Sequence, residues 1–302
     1  MNKNPAKKIN VVIVGIGRWG KKLLAEFHAH ANVLYCVHAG GKGNASWVRT
    51  HYPHISIVTS YEEILKDPMI NAVVIATPIE THFDMTNKAL LAGKHVFVEK
   101  PLAKNKNEAR ALVSLASKRK LVLFTGYVFL YHDIFRKLQK KLSTERIIAM
   151  YSTWEKYGTF NEDIYWNLLP HDLAITIALA GSIKKLTPAF KKGYISKNDV
   201  VLLHGTTKTN VHCVFYINRH SLTTNKTVLI TTKEHHYLWE KDTLWETPVS
   251  DPGKKGVVHR ASQTSLKNEI VEFIAQTKNT KRSRPYGDVS TSVTATVEKL
   301  LA

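Results

Sequence analysis

Gly15, Gly17 and Gly20 stand at G-x-G-x-x-G spacing within Val11-Val-Ile-Val-Gly-Ile-Gly-Arg-Trp-Gly20. This spacing suits a phosphate cradle. The first glycine permits a tight turn, and the second lets backbone approach a pyrophosphate. The third lets a helix pack close to its strand, so that the amide-rich helix start faces the phosphates. Glycines serve many turns, so the motif needs a strand before it and a helix after it. The apolar run ahead of Gly15 and the helical pattern over 21–30 supply both. A second chemical candidate is Lys100, at the end of His95-Val-Phe-Val-Glu-Lys100. That is the carboxyl end of an expected strand, where open α/β sheets place ligands. A free lysine titrates near ~10.4, so its ammonium is a donor and electrostatic stabiliser, and a base only if desolvated.

The elements that must position these groups alternate over the first 125 residues. Apolar runs at 11–15, 33–37, 55–58, 72–76, 95–98 and 121–125 read as strands. Helical patterns at 21–30, 45–51, 61–66, 82–92 and 106–119 lie between them. Strands apolar at nearly every position belong to a parallel sheet covered on both faces. Beyond Tyr127 the grammar changes. Helices are expected over 134–142 and 173–180, and strands over 147–154, 211–217 and 227–232. The stretch 186–248 is rich in Val, Ile, Thr and Tyr, as in an open, mostly antiparallel sheet. Helices return at 265–277 and 290–300, and 250–259 reads as a flexible loop. The expected fold is therefore an α/β Rossmann domain over 1–125, followed by an α+β domain over 126–302.

Bulk properties narrow the class. The 302 residues suit two domains, and 44% hydrophobic with 22% charged residues is ordinary for a soluble enzyme. No run approaches the ~18 apolar residues of a membrane span. The segment 1–8 is polar, with no apolar leader before the first strand, so a cytoplasmic protein is expected. Cys36 and Cys213 each sit in apolar runs and read as buried hydrophobes, and no metal site is expected. The net charge of +19 attracts polyanions. Its lysines are spread along the chain with no basic arm or nucleic-acid motif, so a solvated surface is the first reading. Attraction of phosphorylated cofactor and substrate is the second, and a nucleic-acid partner is not expected.

An ordered set of motifs resembles the Gfo/Idh/MocA family, the glucose-fructose oxidoreductase and inositol dehydrogenase relatives. It comprises the glycine turn, Ala76-Thr-Pro78 with His82, Glu99-Lys-Pro101, and Gly126-Tyr-Val-Phe-Leu-Tyr-His132. Tyr165-Trp-Asn-Leu-Leu-Pro-His-Asp172 and Asn268-Glu-Ile-Val-Glu-Phe273 complete it. The resemblance implies an NAD(P)-binding first domain, a substrate domain, a last helix packed back on the first domain, and an often cis Lys-Pro bond. Members oxidise or reduce a secondary alcohol or ketone of a sugar, cyclitol or sugar nucleotide. The resemblance makes Lys100 the active-site lysine and His171 the catalytic histidine. An imidazole titrating near ~6.5 can exchange the hydroxyl proton. Glu99 reads as fixing Lys100 and nearby backbone, and Asp172 as a helix cap in preference to an orienter. By analogy Gly15, Gly17, Arg18, Trp19, Gly20, His38, Thr77, Pro78, His82, Glu99 and Lys100 form the cofactor site. Tyr127, Tyr131, His132 and Trp166 lie near the predicted cleft, and Tyr127, Trp166 and Asn167 are the substrate-binding candidates. Relatives often pair through the open face of the second sheet, which implies a homodimer or homotetramer.

Two departures stand out. Many relatives carry Asp-x-Gly-x-His, whereas this chain has Asn167 and Leu169 before His171. An amide can hold a hydroxyl but cannot accept a proton or stabilise an imidazolium by charge. An altered substrate, catalysis by Lys100 and His171 alone, and a degenerate site all remain open. The second departure is His38 near the position where NAD-preferring units end their second strand in a carboxylate, with Lys42 close behind. No Asp or Glu occurs between Phe27 and Ser60, which tilts the cofactor from NAD toward NADP. The reading is an NAD(P)-dependent oxidoreductase with a small-molecule substrate. The alternative is a non-catalytic NAD(P)-binding regulator or scaffold, since the family includes a transcriptional repressor. Reduction of a non-sugar ligand, an imine or linear tetrapyrrole, is a third possibility.

Overall fold

The computed structural model describes residues 8–38, 40, 42–279 and 287–302. The polar segment 1–7 and the side chain of Lys42 lie outside the described residues. The chain forms two compact units: 1–126 with 266–287, and 127–265 with 288–302.

The first unit holds strands β1 (Asn10–Val14), β2 (Asn32–Val37), β3 (Ser56–Val58), β4 (Ala72–Ile75), β5 (His95–Glu99) and β6 (Leu123–Gly126). They form one sheet in the order β3-β2-β1-β4-β5-β6, every pairing parallel. Helices α1 (Arg18–His30), α2 (Lys42–His51), α3 (Tyr61–Lys66), α4 (His82–Leu91) and α5 (Lys106–Lys118) connect them. Every side chain of β4 is buried, and Val11–Val14 of β1 likewise, which is why these runs lack polar alternation. The order reverses between β1 and β4, which places the carboxyl ends of those strands and of β5 at the ligand-binding edge of a doubly wound sheet.

The second unit contains α6 (Asp133–Leu142), β7 (Ile147–Tyr157), α7 (Ile164–Asn167), α8 (Leu169–Ala180), β8 (Ile183–Lys192), β9 (Val200–Thr207) and β10 (His212–Asn218). It continues with β11 (His220–Thr232), β12 (His235–Glu240), β13 (Thr243–Pro248) and β14 (Gly256–Arg260). The sheet order is β14-β13-β12-β11-β7-β10-β9-β8, antiparallel except where β10 runs parallel to β7. Helix α8 is apolar almost all round and packs on β7 and β10; a helix of that kind must be buried. It ends at Gly181, whose φ of 82° a side chain would strain.

Two expectations are corrected, and the C-terminal helices are assigned to their units. Helix α8 starts at Leu169, four residues earlier than the apolar periodicity indicated, because Pro170 fits the first turn of a helix. The stretch 250–259 is not wholly a loop, since Gly256–Arg260 pairs with β13 as an edge strand. The helix that joins the first unit is α9 (Ser265–Lys278), whose Phe273 meets Phe27, Phe97 and Phe124 at centroid distances of 5.9, 5.6 and 5.6 Å. The final helix, α10 (Gly287–Leu301), falls almost entirely in the second unit, where Ser292 meets Ser182 at 3.4 Å.

Candidate active site

In the first unit the glycine turn has the geometry that its spacing requires. Gly15 has φ 91°, and an added Cβ would lie 2.7 Å from the Ala76 carbonyl oxygen. At Gly20 an added Cβ would collide with the Gly15 carbonyl oxygen, so turn and helix approach with no room for a side chain. At Gly17 a Cβ would meet nothing within 4 Å. That open backbone, capping the thirteen residues of α1, fits a dinucleotide pyrophosphate. Arg18 is exposed beside it, and His38 follows the last residue of β2, partly exposed. Thr77 and the exposed Pro78 follow β4; the Thr77 hydroxyl meets that of Thr81 at 2.7 Å.

Lys100 follows β5 directly, and its bond to Pro101 is cis. Behind it, Glu99 is buried, accepting from the Trp19 indole N–H at 2.5 Å and from the Lys100 backbone N–H at 3.3 Å. Burial pushes the Glu99 carboxyl up to about 7, although the Trp19 N–H and the Lys100 charge favour its ionised form. Gly126 makes room for this carboxyl, since a Cβ there would lie 2.9 Å from Oε1. His82 is 1% exposed, with Nδ1 2.8 Å from the Pro101 carbonyl and Nε2 2.9 Å from that of Thr77. Burial lowers its pKa, only partly countered by those carbonyls. Glu99 and His82 therefore do not present free faces to a cofactor. They tie the Thr77 turn, the glycine turn and the Lys100 segment to one another.

In the second unit Asn167 closes α7 and His171 lies in the first turn of α8, both partly exposed, as is Trp166. The His171 ring stands edge-on to Phe129, 5.3 Å between centroids, and tilted to Trp154 at 5.5 Å. Tyr127 is 2% exposed, with its hydroxyl buried and without a hydrogen-bond partner among the described residues. Burial pushes the pKa of this phenol up. Tyr131 is buried, and His132 caps α6 by accepting from the Ile134 N–H at 3.1 Å while facing Asp242 at 3.2 Å. Asp172 is not a helix cap. It lies fully buried within α8, bonded to the ammonium of Lys226.

Lys226 is the site residue that motif reasoning missed. Its ammonium lies 3.9 Å from the Trp154 ring centroid and 4.8 Å from that of Phe129, the same two rings that hold His171. Burial lowers the lysine's pKa and raises the aspartate's, and each partner's charge opposes the shift of the other. The signal was present in strand periodicity. Lys226 falls in phase with the buried Val228 and Ile230 on β11 and pairs in register with Trp154.

A family model described as an oxidoreductase family with an NAD-binding Rossmann fold, GFO_IDH_MocA, matches residues 9–127. The match covers the first domain only. An uncharacterised oxidoreductase of Escherichia coli, YdgJ, is 30% identical over 149 residues, 44% of this chain and 43% of that protein. The UDP-N-acetylglucosamine 3-dehydrogenase of Acidithiobacillus ferrooxidans is 32% identical over 120 residues, 37% of each chain. The matches thus span less than half the length of these curated relatives. A solved structure of that dehydrogenase superposes on 97% of this chain and 96% of its own, with TM-score 0.86 at 21% identity. The Rossmann unit with a second, mostly antiparallel sheet unit is thus the fold of a solved Gfo/Idh/MocA neighbour.

Two features of this chain bear on chemistry. Asn167, an amide, stands four residues before His171, and Asp172 is committed to Lys226. Both cysteines are buried and free, and burial pushes their thiols up to about 12 and about 11, so neither is a nucleophile. Among the described residues no group of three or more His, Cys, Asp or Glu could hold a metal, and no helix is long and apolar enough to cross a membrane.

Proposed function

We propose that this protein is an NAD(P)-dependent oxidoreductase acting on a secondary alcohol or ketone of a sugar, cyclitol or sugar nucleotide. One observation carries the reading. The open glycine turn and the lysine closing β5 belong to one unit, linked by the hydrogen bond from Trp19 to Glu99. A nicotinamide bound there supplies or accepts the hydride. Arg18 and the amides of α1 hold the pyrophosphate, and Lys100 donates to the reacting oxygen and stabilises its developing charge. His171 exchanges the hydroxyl proton, and Asn167 and Trp166 orient the substrate. The relatives' names motivate the substrate class, and the missing carboxylate after β2 favours NADP over NAD.

Calorimetric titration with NADPH and NADH, followed by a redox screen with UDP-sugars, cyclitols and free sugars, tests the proposal. NADPH should bind at least as tightly as NADH. In the turnover assay Lys100→Ala and His171→Asn should each lose ~10²–10⁴-fold in kcat while retaining cofactor affinity. Absence of binding by any pyridine nucleotide ends the redox reading. Asn167 favours one second reading, an NAD(P)-binding regulator or scaffold; it predicts cofactor binding with no turnover and no loss of biological activity in Lys100→Ala.

The buried free cysteines suit a reducing compartment such as the cytoplasm. A homodimer or homotetramer is also proposed. Val257, Trp245, Leu238, Leu229, Tyr151 and Val214 form one apolar row across six strands of the second sheet, and Tyr151 is half exposed. Light scattering on the eluting protein should give twice or four times the 34.1 kDa chain mass; a monomer removes this part.

A further inference from the structure

Helix α9 places an acid beneath the Lys100 strand. Residues 97 and 99 share one face of β5, and residues 269 and 273, four apart, share one face of α9. Phe97 and Phe273 meet at 5.6 Å. One step along both elements, the next pair is Glu99 and Glu269. Both carboxyls are buried, Glu269 at 0% exposure, and the Glu99 charge opposes ionisation of Glu269.

The two carboxyls differ in their partners. Glu99 accepts from the Trp19 indole N–H and the Lys100 backbone N–H and faces the Lys100 charge. Neither oxygen of Glu269 has a hydrogen-bond partner among the described residues. Two buried like charges on facing residues disfavour each other's ionised form, and N–H donors hold the charge where they converge. We propose that Glu269 carries a proton in the native protein and is a positioning residue. Its neutral carboxyl keeps Glu99 the single anion that joins the Lys100 segment to the first turn of α1.

Among the described residues, the charged groups near this pair include Glu99 at the end of β5, Lys100 just after it, and Lys22 on α1, whose ammonium lies 5.1 Å from the Trp19 ring centroid. On α9 itself, Lys267 and Glu272 flank Glu269 in sequence. Burial first, and Glu99 second, raise the Glu269 pKa well above the usual carboxylate range. A pKa raised on folding contributes stability that is complete below the unfolded value and is lost as pH rises through the folded value. The protein should therefore weaken on the alkaline side. This proton does not depend on the redox reading, and its test needs neither cofactor nor substrate.

The test uses the whole protein and three variants, Glu269→Gln, Glu269→Ala and Glu99→Gln. The infrared spectrum of the wild type near neutral pH should contain protonated-carboxyl carbonyl absorption that Glu269→Gln diminishes. Thermal unfolding from about pH 6 to about pH 9 should show a fall of several degrees in wild type that Glu269→Gln reduces. Glu99→Gln, which removes the opposing charge, should shrink that fall. Glu269→Gln should keep the wild-type Tm near neutral pH where Glu269→Ala does not. A spectrum without that absorption, or a Gln variant that loses as much as the Ala variant and keeps the wild-type pH profile, overturns the proposal. If Glu269→Gln does not fold, the pH profile of Glu99→Gln decides, and an unchanged alkaline fall counts against it.

Discussion

Replacing Lys226 by Met removes one member of the buried Lys226–Asp172 pair while keeping most of the side-chain volume. Asp172 is 0% exposed and its Oδ2 already lacks a hydrogen-bond partner among the described residues, so the substitution leaves a carboxyl with no counter-charge. Removing one partner of such a pair costs about 3–5 kcal/mol. The lysine side chain is 17% exposed, which favours the lower end. Loss of its position over Trp154 adds about 0.5–2 kcal/mol. A loss of about 4 kcal/mol in a unit of this size corresponds to about 8–16 °C in Tm.

The sign of the pH dependence follows from the same carboxyl. Burial already raises the Asp172 pKa, and without Lys226 it rises further. Stability from a group with a raised pKa is complete below its unfolded value, ~3.9, and is lost as pH climbs through the folded value. The deficit of Lys226→Met should therefore be small near about pH 4–5 and largest above neutrality. Urea unfolding of wild type, Lys226→Met, Asp172→Asn and the double variant at acidic and alkaline pH measures it. The double variant should recover about 1–3 kcal/mol relative to the sum of the singles. A loss below about 1 kcal/mol, or an equal loss at both pH values, would refute the argument that the pair is desolvated.

Other perturbations probe the remaining elements. Gly20→Ala forces a methyl onto the Gly15 carbonyl oxygen; cofactor affinity by titration should fall more than ~10-fold, and unchanged affinity would contradict the close turn–helix approach. Gly126→Ala crowds the Glu99 carboxyl, and should cost about 1–3 kcal/mol in chemical denaturation with a change in tryptophan fluorescence as Trp19 loses its acceptor. Asp199 is buried, which by itself raises its pKa, but the Ser196 hydroxyl and the N–H groups of Ser196, Tyr194 and Ile195 overrule this and pull it well below the usual range. A depressed pKa gives stability present above the unfolded value and lost as pH falls, so Asp199→Asn should flatten the acid limb of the wild-type stability curve.

Sequence alone determined the elements that depend on local rules. The apolar strands, the glycine turn and Gly181 as a helix stop are written in side-chain periodicity and backbone permissiveness, and they fall within a few residues of the observed bounds. It also located Lys100 at a strand end, whereas His171 was singled out by the family resemblance and fell two residues before the expected helix. Tertiary structure decided which polar groups lose water. Asp172 reads as a helix cap until strand β11, 54 positions away, delivers Lys226 to it. Glu99 and Glu269 are 170 positions apart by number, and only the packing of α9 against the sheet couples them. The reason is physical: burial and charge pairing arise from neighbours distant along the chain, whereas turn and periodicity signals need only adjacent residues.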